Sequence, residues 1–328
     1  MFLYSYFSSP EVQTVIEDKA DGSTKQKELS TTTVKGYLVP LPPKDEQLRI
    51  VDKLISVSSV VSEYGLLQDN FSKLDFEIKV RLYKSILQEA IQGRLVPQIE
   101  SEGTAEELLE EIQAEKQRLV KEGKLKKSAF ANESRIFRGD DNKYYEQIGA
   151  KVLDISEEIP FVIPESWQWT RMGNIGDWGA GATPSRTNPN YYNGDICWLK
   201  TGELNNSIIF DTEEKITQKA LSDCSLRINQ VGDILIAMYG ATIGKLAIVG
   251  KEMTTNQACC GCTPFLVYNK FLFYFLMASK KDFICKGEGG AQPNISRVKL
   301  VSHLIPIPPL KEQYRIVYQI EILNQFYV

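Results

Sequence analysis

The residues best suited to chemistry lie in the second half of the chain, and each group lacks a part its chemistry would need. Gly240-Ala-Thr-Ile-Gly244-Lys245 has the glycines and lysine of a phosphate loop. It is one residue short of GxxxxGK, however, and Leu246 stands where a hydroxyl would hold magnesium. Asn188-Pro-Asn-Tyr191 lacks the second proline of the amino-methyltransferase signature Asn-Pro-Pro-Tyr, with no glycine-rich cofactor loop upstream; a turn before a strand accounts for it. Cys259, Cys260 and Cys262 crowd together without paired CxxC spacing, and the one histidine of the chain is His303. In a β-like run neighbouring side chains point to opposite faces, so these thiols read as small buried hydrophobes rather than metal ligands. No carboxylate pair with lysine at nuclease spacing stands out, and one histidine leaves no nucleophile and base arrangement. The chain reads as non-catalytic.

The elements around these residues are organised by a repeat. Val39-Pro-Leu-Pro-Pro-Lys-Asp-Glu-Gln-Leu-Arg-Ile-Val51 recurs as Ile305-Pro-Ile-Pro-Pro-Leu-Lys-Glu-Gln-Tyr-Arg-Ile-Val317, with eight of 13 positions identical at an offset of 266. The same offset aligns Gln26 with Gln292, Ser30 with Ser296 and Leu38 with Leu304. So long a period excludes a solenoid and implies a duplicated module. In each copy the prolines force an extended approach, after which Pro43 and Pro309 sit where a helix begins. Past Ile50 the apolar residues Leu54, Val57, Val61 and Tyr64 are spaced 4-3-4-3. After a slip beside Gly65 the pattern resumes at Leu67, Phe71, Leu74 and Ile78, which is coiled-coil spacing. A helix from about Asp45 to Gln92 would span about 70 Å, and its expected partner is the repeat helix beginning near Leu310.

Thr104 to Glu122 starts with a capping residue, has Glu107 three positions on, and predicts a short, exposed amphipathic helix carrying Leu108, Leu109, Ile112 and Leu119. Ser128 to Ser156 is polar and reads as a linker. From Ile159 aromatic and β-branched runs with Gly and Pro punctuation predict a compact, β-rich or mixed domain. The fold class expected is α+β, a globular mixed domain attached to long coiled-coil helices. Its divisions are the tail of a first domain (1–43), a central helix (44–97), an amphipathic helix with linker (98–158), a complete domain (159–309) and the start of a distal helix (310–328).

Composition adds bounds. The net charge is -4, and between Ile155 and Ile305 the basic and acidic residues number 14 each, so a nucleic-acid surface would have to come from local placement of charge. The longest apolar run, Phe271 to Ala278, is too short to span a bilayer and no targeting segment stands at Met1, so a cytoplasmic location is expected.

Several phrases, in order, resemble the DNA specificity subunit of type I restriction-modification systems. They are Ile159-Pro-Phe-Val-Ile-Pro-Glu-Ser-Trp167-Gln-Trp169, Gly194-Asp-Ile-Cys-Trp-Leu-Lys-Thr-Gly-Glu-Leu-Asn205-Asn206, Gly232 to Lys245, Thr254-Thr-Asn-Gln-Ala-Cys259 and Ile305 to Gln313. The resemblance implies two target recognition domains separated by conserved antiparallel helices, each domain reading half of an interrupted DNA site. It also implies a subunit with no catalytic centre and no cofactor of its own. Double-stranded DNA, methyltransferase subunits using S-adenosylmethionine, and restriction subunits using ATP and magnesium are the implied partners. Against that pattern the chain looks truncated at both ends, as a half-subunit acting as a homodimer, a product of gene rearrangement, or a truncated and inactive copy. Two readings from other classes stand beside it: an enzyme in its own right, and a coiled-coil adaptor without DNA contact. Asn and Gln can pair bidentately with adenine, and Arg or Lys with guanine. The expected DNA-binding residues are Arg186, Lys200, Asn205, Asn206, Thr242, Lys245, Asn256, Gln257, Gln292, Asn294 and Arg297, with Asn188 a further candidate and Thr183 and Ser185 available to phosphates. The expected partner-binding stripe is Leu54, Val57, Val61, Leu67, Phe71, Leu74 and Ile78.

Overall fold

Proline and serine punctuation sets the same local frame twice. A computed structural model describes residues 1–18, 29–130, 133–287 and 294–326, which fall into two compact units divided between Ile78 and Lys79. The first unit contains three short helices, α1 (Phe2–Phe7), α2 (Pro10–Asp18) and α3 (Thr31–Lys35), followed by the head of the long helix α4 (Lys44–Ile91). Ser30 caps α3 by accepting from Thr33 N, and Asp45 and Glu46 place negative charge in the first turn of α4. All seven residues of the partner-binding stripe on α4 are exposed.

The second unit opens with the last turns of α4 and continues through α5 (Ala105–Lys121) into a meander of β1 (Arg135–Arg138), β2 (Tyr144–Ile148) and β3 (Lys151–Asp154). Next come β4 (Gln168–Arg171), β5 (Gly176–Ala180), β6 (Tyr192–Leu199), β7 (Ser207–Ile209), β8 (Glu214–Ile216) and α6 (Gln218–Asp223). Then follow β9 (Ile234–Ala237), β10 (Leu246–Val249), β11 (Thr254–Thr255) and β12 (Cys259–Pro264). The unit closes with α7 (Asn269–Ala278), α8 (Lys280–Lys286), α9 (Arg297–Val301), β13 (Leu304–Ile307) and α10 (Leu310–Gln325). Five strands form a sheet in the order β5-β12-β9-β10-β7, antiparallel except for the β10–β7 pair. A smaller sheet runs β11-β6-β8, and β13 pairs with β4. The mixture of helix and sheet is the expected α+β class.

The main core lies between one face of the five-stranded sheet and the helices. Ile234, Ile236, Leu246, Cys260 and Cys262 meet Phe271, Leu272, Phe275 and Leu276 of α7 there. Ile86, Leu87, Ala90 and Ile91 of α4 and Ile316, Val317 and Ile320 of α10 join the same core. Arg315 on the first turns of α10 reaches Pro97 O and Glu102 beyond the end of α4, while Leu82 and Tyr83, a few turns earlier on α4, pack on the same core as Leu323 near the end of α10, so the last turns of α4 run antiparallel to α10. Leu235, Ala237, Ala247 and Cys259 point to the opposite sheet face, where they pack on Cys197, Leu199 and Leu204.

Two expectations need correction. The helix at Thr104 does carry its capping box, Thr104 with Glu107, but it is not an exposed helix, because Ala105, Leu108 and Ile112 are buried in the main core. The segment from Ser128 to Ser156 is not an irregular linker either. It forms the β1–β3 meander, whose turns use left-handed Asn142 (φ 65) and Gly149 (φ 59). Its strands bury little more than Ile136 and Glu146, so polar side chains hide the alternation that would have signalled them.

Candidate nucleic-acid interface

Strand direction gathers the candidate residues at one edge of the five-stranded sheet. β5 and β9 end at this edge, whereas β12, β10 and β7 begin there. The segments following β5, between β9 and β10, before β7 and before β12 therefore lie side by side. Backbone bonds stitch them together: Ala182 N donates to Thr255 O (3.0 Å), Met238 N to Ala258 O (2.8 Å) and Asn206 N to Leu246 O (2.9 Å). The second sheet joins at the same place, since Asn256 N donates to Leu199 O at the end of β6 (3.0 Å) and Trp198 faces Glu214 at the start of β8. Gly181 is required at this junction. A Cβ there would stand 2.2 Å from both Thr255 O and Thr255 Oγ1.

Asn205, Asn206, Thr242, Lys245, Asn256, Gln257 and Thr183 are thus neighbours on one edge, although Thr183 and Gln257 lie 74 residues apart in sequence. Asn294 joins them through a bridge to Tyr239, and Arg297 stands behind, donating to Trp178 O inside β5 (2.9 Å). Gln292 lies outside the described residues.

Several candidates are already occupied by the fold. Asn206 adopts φ 59 and its Oδ1 accepts from Leu246 N, so it shapes the turn into β7. Asn205 accepts from the Ser207 hydroxyl, Thr242 donates to Tyr239 O, and Asn188 accepts from Asn190 N in a turn. The Asn256 Oδ1 is turned inward and buried without a partner, while exposed Gln257 accepts from the Thr183 hydroxyl. Lys245 has no ion-pair partner among the described residues.

Arg186 and Lys200 are held more firmly. The Arg186 guanidinium lies 4.5 Å from the Tyr192 ring centroid and 5.0 Å from that of Trp198, and donates to Glu214 at 2.6 Å. Lys200 Nζ sits 3.0 Å from Glu214 and 3.2 Å from Glu213. The hydrogen bonds from Arg186 and then Lys200 hold the Glu214 carboxyl below the usual carboxylate range, and both cations are pushed up in return. Motif reading missed the two glutamates, because nothing in their spacing ties them to Arg186 or Lys200; only the pairing of β6 with β8 does. It also missed Tyr239, a partly exposed ring ahead of left-handed Gly240 (φ 61) at the centre of the edge.

The suspected catalytic motifs resolve into scaffold. Gly240 to Lys245 forms the hairpin between β9 and β10, whereas a phosphate loop opens a helix. Cys259 and Cys260 face opposite sides of β12, and burial pushes the Cys260 thiol up to about 12. Among the described residues no helix is long and apolar enough to cross a membrane.

Comparison with known proteins fits this arrangement. Residues 164–327 match the type I restriction modification DNA specificity domain. The EcoAI specificity subunit of Escherichia coli is 26% identical across 99% of this chain and 59% of its own length. The MjaIX specificity subunit of Methanocaldococcus jannaschii is 34% identical across 47% of this chain and 37% of its own. The chain thus spans well under two thirds of the length of these relatives. Among solved structures, the HsdS subunit from Thermoanaerobacter tengcongensis shares the fold with a TM-score of 0.50 at 18% identity, covering 99% of this chain and 62% of that one. A structure described as showing complex assembly and conformational transition of the type I R-M system gives a TM-score of 0.57 at 17% identity. With half of its residues matched by the domain, the chain belongs to the type I restriction-modification DNA specificity family.

Proposed function

We propose that this chain is a DNA recognition component of a type I restriction-modification complex. In this reading it is non-catalytic and directs methyltransferase and restriction subunits to a bipartite site. The supporting observation is the gathering of amide, hydroxyl and cationic side chains from five loops at one sheet edge, within the matched domain. S-adenosylmethionine, ATP and magnesium belong to the partners. The exposed stripe of α4 from Leu54 to Ile78 is the docking element, since an apolar surface of that extent marks an interaction site.

A two-fold homodimer is the finer reading for the chain working in the form given. One recognition domain specifies one half-site, and two-fold symmetry would mirror an interrupted palindrome. The test is to express the chain as the sole specificity component beside its methyltransferase subunit and map methylated sites genome-wide. A palindromic bipartite motif is expected. An asymmetric motif would contradict the homodimer, and no methylation at all would contradict the recognition role. In parallel, replacing Leu67 and Phe71 with Asp should abolish co-purification with the methyltransferase; intact assembly would remove the stripe from the docking role.

A further inference from the structure

Glu214 stands on the rim of the candidate edge, and its one carboxylate takes up two of the cations there, Arg186 and Lys200. Arg186 reaches it while wedged against Tyr192 and Trp198, and Lys200 is shared between Glu214 and Glu213. Folding energy does not explain this placement. The Arg186, Lys200 and Glu214 side chains are 53%, 33% and 31% exposed, and ion pairs so wetted add little to stability. Phosphate contacts carry no sequence information, yet they supply most non-specific affinity.

Building on the DNA-recognition reading, we propose that Glu214, assisted by Glu213, is a specificity-determining residue that withholds Arg186 and Lys200 from DNA phosphates. Sequence-independent affinity is thereby kept low, and the amide groups along the edge decide where the domain settles. The exact balance of 14 basic and 14 acidic residues across Ile155 to Ile305 has the same consequence on a larger scale.

The experiment titrates the full chain, with its methyltransferase subunit present, against labelled duplex of random sequence over a range of salt. Glu214→Gln and the double variant Glu213→Gln/Glu214→Gln are compared with Glu321→Gln. That control frees Lys270, which follows Asn269, whose side chain bonds Gly232 O at the opposite end of the sheet, for the same change in net charge. Glu214→Gln should bind random DNA more tightly, and its plot of log affinity against log salt should steepen by about 1 to 2, the release expected for one or two added phosphate contacts. Genome-wide methylation should also spread to near-cognate sites. A slope change no larger than that of Glu321→Gln overturns the inference, as does weaker binding by Glu214→Gln, which would make Glu214 a direct base contact. Wild-type protein that binds no DNA even at the lowest salt would instead sink the recognition reading itself.

Discussion

The two copies of the proline and helix motif share eight of 13 residues but differ in what surrounds them. Local structure is the same in both. Ser30 and Ser296 each cap a five-residue helix, and Gln47 and Gln313 each donate back to a proline carbonyl, Pro42 O and Pro308 O. Burial differs. In the second copy Glu312, Gln313, Ile316 and Val317 are buried, Gln98 donates to Glu312 and Tyr268 N donates to Gln313. In the first copy Leu38 and Leu41 stand 88% and 72% exposed, whereas the matching Leu304 and Ile307 pair with β4. Helix starts and caps are thus written locally, while the energy that holds them comes from what they pack against.

The largest expected contrast is between Ile320 and Leu54, which occupy the same place 266 residues apart. Ile320 is 1% exposed in the main core and Leu54 is 49% exposed on α4. Ile320→Ala should cost about 2–5 kcal/mol through lost burial and an incompletely filled cavity. Leu54→Ala should cost no more than about 0.5 kcal/mol. Denaturant unfolding of the chain alone checks both. Equal losses would mean that the first copy is covered as well, and the comparison would fail.

What the sequence disclosed follows the same line. The repeat, the helix starts, the capping box at Thr104 and the β-rich texture after Ile159 were legible because each depends on spacing within a few residues. The meander was not, since its strands present polar side chains on both faces and bury almost nothing in regular alternation. At the candidate edge, glycine-flanked amides such as Asn205 and Gln257 were visible as types. Their assembly was not, because strand order brings Thr183 to Gln257 across 74 residues and Arg186 to Glu214 across 28. Nor could sequence show that Asn206 is spent on its own turn.

The copies should also differ in their response to acid. His303 holds the place of Tyr37, and it is buried against Phe275 and Phe283 with Lys286 Nζ 2.9 Å from its Nδ1. Burial first, then Lys286 and Arg171, lower its pKa from the ordinary 6.5 to about 3. A base with a depressed pKa stays neutral in the fold but takes up a proton on unfolding. Its contribution is therefore present above about pH 6.5 and is lost as the pH falls toward about 3. At about 1.4 kcal/mol per pH unit, the loss at pH 5 should be about 2 kcal/mol. His303→Gln retains an acceptor for Lys286 and should flatten that part of the stability profile. A parallel profile in the variant would assign the acid sensitivity elsewhere.

The smallest contrast sharpens the comparison at a single shared side chain. Gln313 accepts from Tyr268 N at 2.9 Å and donates to Pro308 O at 3.0 Å, so its amide ties α10 to the start of α7 as well as closing its own proline turn. Gln47 makes the second of these bonds, to Pro42 O at 2.8 Å, on a partly exposed helix start. Truncating Gln313 to Ala strands the half-buried Tyr268 N–H, a loss of about 1–3 kcal/mol, whereas the same change at Gln47 leaves a carbonyl that water can satisfy and should cost at most about 1 kcal/mol. Adding the methyltransferase subunit gives the comparison a direction. If the partner covers the first copy of the motif, Gln47→Ala should weaken the assembled complex more than it weakens the free chain, while the Gln313→Ala loss should be the same in both. An unchanged Gln47→Ala penalty on assembly would show that the repeated helix start stays in water and that docking is confined to the apolar stripe further along α4.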